Sequence, residues 1–178
     1  MRTIAELKAT LPQIGRVGWI GISPASRADI VTMAAVELLA GQGIVGDHHA
    51  KGRVESERQV TLIQSEHLVA VASLVGRDAV PPALVRRNVA VSGINLLALK
   101  GKQFRLGDAV LEHTGPCEPC SRMEEILGPG GYNAMRGHGG ITARVLAGGT
   151  FRIGDEVAVL IGTEGNEGNE EDNTDSTP

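Results

Sequence analysis

The stretch KQFRLGDAVLEH (Lys102 to His113) decides the fold. Lys102 to Leu106 and Asp108 to His113 read as two strands that pair across Gly107, because a Gly-Asp step between β-forming runs is a hairpin signal. A near-copy, FRIGDEV, spans Phe151 to Val157 and reads as the same hairpin chemistry used again, not as a true repeat. Outward from these two, Ile14 to Ser23, Gln59 to Gln64, Val89 to Val91, Ile141 to Leu146 and Glu156 to Ile161 also read as strands. Ile30 to Leu39 is open between strand and helix, and its run into a glycine-rich turn favours strand. Helices are expected within residues 1–12, from Glu66 to Val75 behind a Ser65 N-cap, and from Ser121 to Leu127. Many short strands joined by glycine turns, with few helices, predict a mainly β, barrel-like domain with flanking helices.

Composition bounds the rest. The 178 residues are 42% hydrophobic and 21% charged, enough for one globular domain. Aromatics make up only 2%, so the core must be built from Val, Leu, Ile and Ala, with Trp19 as an anchor. A net charge of −4 gives no basic footprint for nucleic acid, and bases would find few aromatic platforms. No apolar run is long enough to cross a membrane, and MRTIAELKATLP lacks the apolar core of a signal peptide. Two cysteines without an export signal predict reduced thiols and a cytoplasmic protein. Residues 1–13 are expected to form an N-terminal arm and 14–161 the domain. The acidic, apolar-free 162–178 should be a disordered tail.

The chemistry concentrates in EHTGPCEPCSRMEEILGPGGYNAMRGHGG (Glu112 to Gly140), which holds Cys117, Cys120, Arg122, His113 and His138. Pro119 suits the first turn of the helix expected at Ser121, so Cys120 falls at a helix N-terminus, where free N–H groups favour a thiolate. Arg122 adds positive charge. Such a thiolate can be a nucleophile, a sulfur carrier or a soft metal ligand. Three other readings stay open: cysteines packed in the core, a thioredoxin-like redox pair, or half a zinc site completed by His113 or His138.

Two further stretches carry candidates. GQGIVGDHHAKG (Gly41 to Gly52) sets Asp47, His48 and His49 between glycines, either as a solvated turn or as a nest for an anion. His67 is expected on the solvated face of its helix. Arg86, Arg87 and Asn88 precede a strand and read equally as a phosphate clamp or a solvated pair.

Together these stretches resemble the MOSC domain, named for the C-terminal domain of molybdenum-cofactor sulfurase. The resemblance runs from about Val17 to Leu160. It rests on GIVGDHHA (Gly43 to Ala50), RQVTLIQSEHL (Arg58 to Leu68), RRNVAVSGINLLAL (Arg86 to Leu99), FRLGDAVLE (Phe104 to Glu112), GPCEPCSRME (Gly115 to Glu124) and GHGGITARVLAGG (Gly137 to Gly149). It implies a MOSC-type barrel-like fold and a molybdenum cofactor (molybdopterin) as the small-molecule partner. Cys120, in PCSR, matches the family's late cysteine and would ligate molybdenum or carry sulfur, with Cys117 an additional thiol. Arg86 and Asn88, with Arg87 between them, match the residues that hold the pterin phosphate. Gly46, Asp47 and His49 would shape the pocket, and the turn holding His138 and Gly139 would let backbone approach the ligand.

His48 departs from the resemblance, standing where arginine is usual. The chain shows neither an aminotransferase-like sulfurase domain nor a ferredoxin-type cysteine set, so electrons or sulfur would come from a donor protein. The activities implied are reduction of N-hydroxylated compounds or, alternatively, sulfur delivery by a persulfide carrier.

Overall fold

The computed structural model describes residues 1–51 and 56–160; the expected acidic tail lies outside the described residues. The chain opens with α1 (Ile4–Ala9), an exposed helix closed by a capping box in which Thr3 and Glu6 bond each other's backbone N–H. There follow β1 (Gly15–Ile22), β2 (Val31–Met33), β3 (Ala35–Leu39), β4 (Gly43–Ile44) and β5 (Val60–Gln64). Then come α2 (Ser65–Leu74), β6 (Val89–Ser92), β7 (Gln103–Leu106) and β8 (Ala109–Pro116). The last elements are α3 (Ser121–Leu127), α4 (Gly131–Met135), β9 (Ile141–Ala147), β10 (Gly149–Arg152) and β11 (Glu156–Val159).

Seven strands close a ring in the order β11-β7-β8-β9-β5-β6-β1, and β1 returns to β11 through Gly15↔Val157 and Arg16↔Glu156. Beyond that seam the same edge of β1 pairs with β2. A separate three-stranded sheet, β10-β3-β4, packs alongside. Closure removes the open edges that a small sheet would otherwise expose to aggregation.

The two-residue strand period explains both cores. In β5 every residue is buried, since the strand has covered faces on both sides. Val60 and Leu62 join Ile20, Phe104, Leu111 and Phe151 in the main core. Ile63 points the other way, into a second core with Val71, Val85, Ala90, Met123 and Met135 beneath α2, α3 and α4. Each buried aliphatic of this size contributes about 1.5–3 kcal/mol, so the second core anchors α3 firmly enough to position its first residues.

Several sequence expectations change. Phe151 to Val157 is not a second hairpin: its first strand, β10, pairs with β3, while β11 pairs with β7 and β1. The Gly-Asp step there carries the chain between sheets. The two Gly-Asp turns instead pack on each other, with Asp108 N–H donating to the Thr150 carbonyl and Thr150 Oγ1 bonded to Asp108 Oδ2. A Cβ on Gly107 would lie 2.6 Å from that of Phe151, so only glycine fits this contact. Ile30 to Leu39 divides at Ala34 into β2 and β3, which belong to different sheets. Ser65 opens α2 but does not cap it; Gln64 is the N-cap and makes no side-chain cap bond. Trp19 is half-buried against the second core instead of anchoring the first. The short α4 has no counterpart in the sequence reading, because GGYNAM offers too few residues for a helical period.

Candidate functional site

Asp47 is the pivot of the site. It follows a turn at Gly46 (φ 87°) and is 1% exposed. Its Oδ2 accepts from the Ser23 N–H at 2.8 Å and from Asn88 Nδ2 at 3.0 Å. Its Oδ1 accepts from the His49 N–H at 2.9 Å and from His49 Nδ1 at 2.8 Å. Burial opposes ionisation, but the bonds from His49 and Ser23 outweigh it and hold the carboxyl down to about 2, against an ordinary 3.8. The group is therefore a carboxylate with its acceptor capacity spent inside the protein.

Asn88 is equally committed. Its Oδ1 accepts from the Thr61 N–H and Oγ1, and its Nδ2 donates to the Gly21 carbonyl and to Asp47. It ties β1, β5 and Asp47 together and has no amide group left over, so it orients the site from behind.

Arg86 and Arg87 diverge, because the chain turns at Arg86 before it enters β6. Arg87 is buried and donates Nε to the Gly139 carbonyl at 2.7 Å, Nη1 to Val85 at 2.8 Å and Nη2 to Cys117 at 3.1 Å. Burial pushes its pKa down, the Cys117 thiol opposes that, and the Arg58 charge reinforces it. Arg86 is held at φ 58°, a left-handed conformation that costs a non-glycine residue about 1–2 kcal/mol. Its guanidinium bonds the Ala28 carbonyl at 2.8 Å and Ser23 Oγ at 3.1 Å. Burial and the Arg122 charge press its pKa down. Strain maintained by the surroundings in this way is characteristic of working sites.

The two cysteines are free and separated by environment: Cys117 is buried, while Cys120 is exposed at the N-cap of α3. Arg58 Nη2 donates to Cys117 Sγ at 3.2 Å. Arg58 enters the sequence reading only as the first residue of RQVTLIQSEHL, with no role attached. Its only signal there is a basic residue immediately ahead of the fully buried β5.

These groups meet in one open cavity of about 190 Å³. Cys120, Asp47, His48, His49, Asn88 and Met123 line it, together with five arginines: Arg27, Arg58, Arg86, Arg87 and Arg122. Among the described residues Asp47 is the one acidic lining residue, and its charge is already shared among internal bonds. The cavity thus presents an accessible soft sulfur beside the cationic side chains of Arg86 and Arg122, which suits an anion with a thiophilic centre.

Not every expected residue arrives. His138 lies against His67 of α2, ring centroids 5.0 Å apart and edge-to-face, and neither lines the cavity. His67 is accordingly half-buried, not solvated, and burial followed by the charge of His138 lowers its pKa. Gly139 approaches protein and not an open ligand space: a Cβ there would collide with the Cys117 carbonyl. His113 lines a different cavity with Leu97 and Lys100. The zinc reading through Cys117, Cys120 and a histidine therefore gains nothing. The one cluster of three potential metal ligands among the described residues is Asp47, His48 and His49.

Comparison with known proteins agrees with this picture. No curated protein sequence matches the chain. Among solved structures, the YuaD protein from Bacillus subtilis is similar at 23% identity and TM-score 0.73, over 84% of this chain and 98% of that one. YiiM from Escherichia coli is similar at 18% identity and TM-score 0.63, over 83% of this chain and 70% of that one. YiiM from Geobacillus stearothermophilus is similar at 18% identity and TM-score 0.64, over 83% and 75%. At these identities the likeness is one of fold. The MOSC domain profile matches residues 45–158, which include the Asp47 turn, the Arg86–Asn88 segment and Cys120. With a matching seven-strand ring around them, the chain belongs to the MOSC domain family.

Proposed function

We propose that the cavity binds the molybdenum cofactor, with Cys120 Sγ as the protein ligand to the metal and the guanidiniums of Arg27, Arg86 and Arg122 on the anionic phosphate end. The observation that carries this reading is the one exposed thiol lining a cavity with five arginines in which, among the described residues, the one carboxylate is that of Asp47, already bonded inside the protein. The donor chemistry fits: a thiolate is a soft ligand, and arginine forks match phosphate oxygens bidentately. The cavity of about 190 Å³ is smaller than the usual ~300–1,000 Å³ of a site enclosing a whole drug-sized ligand, so it fits one end of such a cofactor.

When bound, the cofactor supplies a two-electron redox centre. The chain's residues bind, orient and screen it: Asn88 fixes Asp47, Asp47 fixes His49, and Arg87 locks the Cys117 and Gly139 backbones that flank Cys120. The activity this favours is reduction of N-hydroxylated compounds, with electrons from a donor protein. The alternative is a persulfide carrier receiving sulfur from a partner. The separation of the thiols favours it to this extent: a persulfide on exposed Cys120 is not faced by an equally accessible second thiol.

Elemental analysis of protein purified anaerobically from a cofactor-making host decides between them. Molybdenum near one per chain, accompanied by phosphorus and lost in Cys120→Ser, is the expected result. Unchanged molybdenum in that variant would remove Cys120 from the site. Absent molybdenum with a persulfide on Cys120 by mass spectrometry would favour the carrier.

A further inference from the structure

The bonds made by the Asp47–His49 turn fix the chemistry of its rings. Asp47 Oδ1 accepts from His49 Nδ1, and an ionised carboxylate can only accept, so the His49 proton sits on Nδ1. His48 Nδ1 lies 3.0 Å from the Ser23 carbonyl, which also only accepts, and takes the same tautomer. The two rings stand 3.9 Å apart, and both line the Cys120 cavity. In each, Nε2 is the nitrogen left to take up or release a proton. A divalent cation is a poor occupant here, because five arginines line the same cavity and, among the described residues, its one carboxylate is already bonded on both oxygens. A proton is the better cargo.

We propose that Asp47 and His49 form an acid–base dyad in which Asp47 orients the ring and His49 Nε2 hands a proton to the leaving oxygen of a substrate bound beside Cys120. This rests on the cofactor reading above. In R–NH–OH + 2e⁻ + 2H⁺ → R–NH₂ + H₂O, the N–O bond breaks and two electrons enter from a reduced electron-transfer protein. The departing hydroxyl leaves as water with the proton from His49, a second proton from solvent completes the amine, and solvent reprotonates His49. His49 is the catalytic residue and Asp47 the positioning one, the division of labour familiar from acid–histidine pairs. The titratable groups sharing the cavity are Asp47 and His48 from the same turn and Cys120 from the start of α3. Permanent charges come from Arg58 ahead of β5, Arg86 and Arg87 ahead of β6, Arg27 after β1 and Arg122 on α3.

The test joins two readouts. In ¹⁵N-histidine NMR of protein prepared without cofactor, His49 should carry its proton on Nδ1 when neutral. In loaded protein with viologen as reductant and an aryl hydroxylamine as substrate, His49→Asn should keep wild-type molybdenum, since its amide nitrogen stands where Nδ1 does and still donates to Asp47. It should lose about 10²–10⁴-fold in kcat, with KM little changed. A neutral His49 protonated on Nε2, or a His49→Asn enzyme turning over within about twofold of wild type, overturns the dyad. Wild-type protein without molybdenum defeats the cofactor reading. The proton transfer that rests on it falls with it, whereas wild-type loading with a neutral Nε2–H tautomer defeats the dyad alone.

Discussion

Cys117 and Cys120 are three residues apart and live under opposite physics. Cys117 ends the run of β8, is 1% exposed, accepts a bond from Arg58 and lends its carbonyl to Arg87. Cys120 caps a seven-residue helix and opens onto a cationic cavity. The contrast teaches that a C-x-x-C spacing does not by itself make a pair. Here Pro119 and the start of α3 turn one thiol outward, while the β8–β9 ladder, through Pro116↔Ile141, keeps the other inside.

The widest difference should appear in reactivity. Iodoacetamide should label Cys120 in the folded protein at least ~100-fold faster than Cys117, which becomes accessible only by unfolding. Equal native rates, read by mass spectrometry, would end the distinction. The inward side can next be broken from behind. Arg87→Met strips three buried carbonyls of their donor, and should lower unfolding stability by about 3–5 kcal/mol in a denaturant titration.

Asp47 sharpens the outward side through pH. Its carboxyl is held at about 2 when folded, against an ordinary 3.8. A depressed folded value stabilises above the unfolded value and is lost as pH falls through the folded one. About 2 kcal/mol of stability should therefore disappear between roughly pH 4 and pH 2, and Asp47→Asn should flatten that slope. Smallest is the cost of the thiols themselves. Cys117→Ala should cost about 1–2 kcal/mol by leaving a small void and an unpartnered Arg58, whereas Cys120→Ala should stay within ~0.5 kcal/mol. Comparable costs would mean that Cys120 also carries packing.

Much of the ring was legible, because strands with two-residue periods and glycine turns announce themselves locally. The FRLGDAV hairpin and the Ser121–Leu127 helix appear where their residues put them. FRIGDEV misleads because a Gly-Asp step encodes a turn, not a partner; pairing is settled by which edge the barrel leaves free. The site was legible as a set of segments but not as roles. Arg86 and Arg87 look equivalent in sequence, yet one lines the cavity wall with its backbone strained and the other is consumed by three carbonyls. Asn88 reads as a ligand donor until its four internal bonds are counted. Arg58 and the His67–His138 contact join segments far apart in the chain, and no local pattern encodes such meetings.

The ring's seam, where β1 meets β11 and Arg16 Nη2 bonds Glu156 at 3.1 Å, also sets a timetable for synthesis. As the chain leaves the ribosome, β1, β5 and β6 emerge first, and with them the Ser23–Asp47–Asn88 knot can already form. Cys120 comes out later, and β11 shuts the barrel last among the described strands. The newborn protein therefore passes through a stage in which its exposed thiol is present before the ring around it is complete.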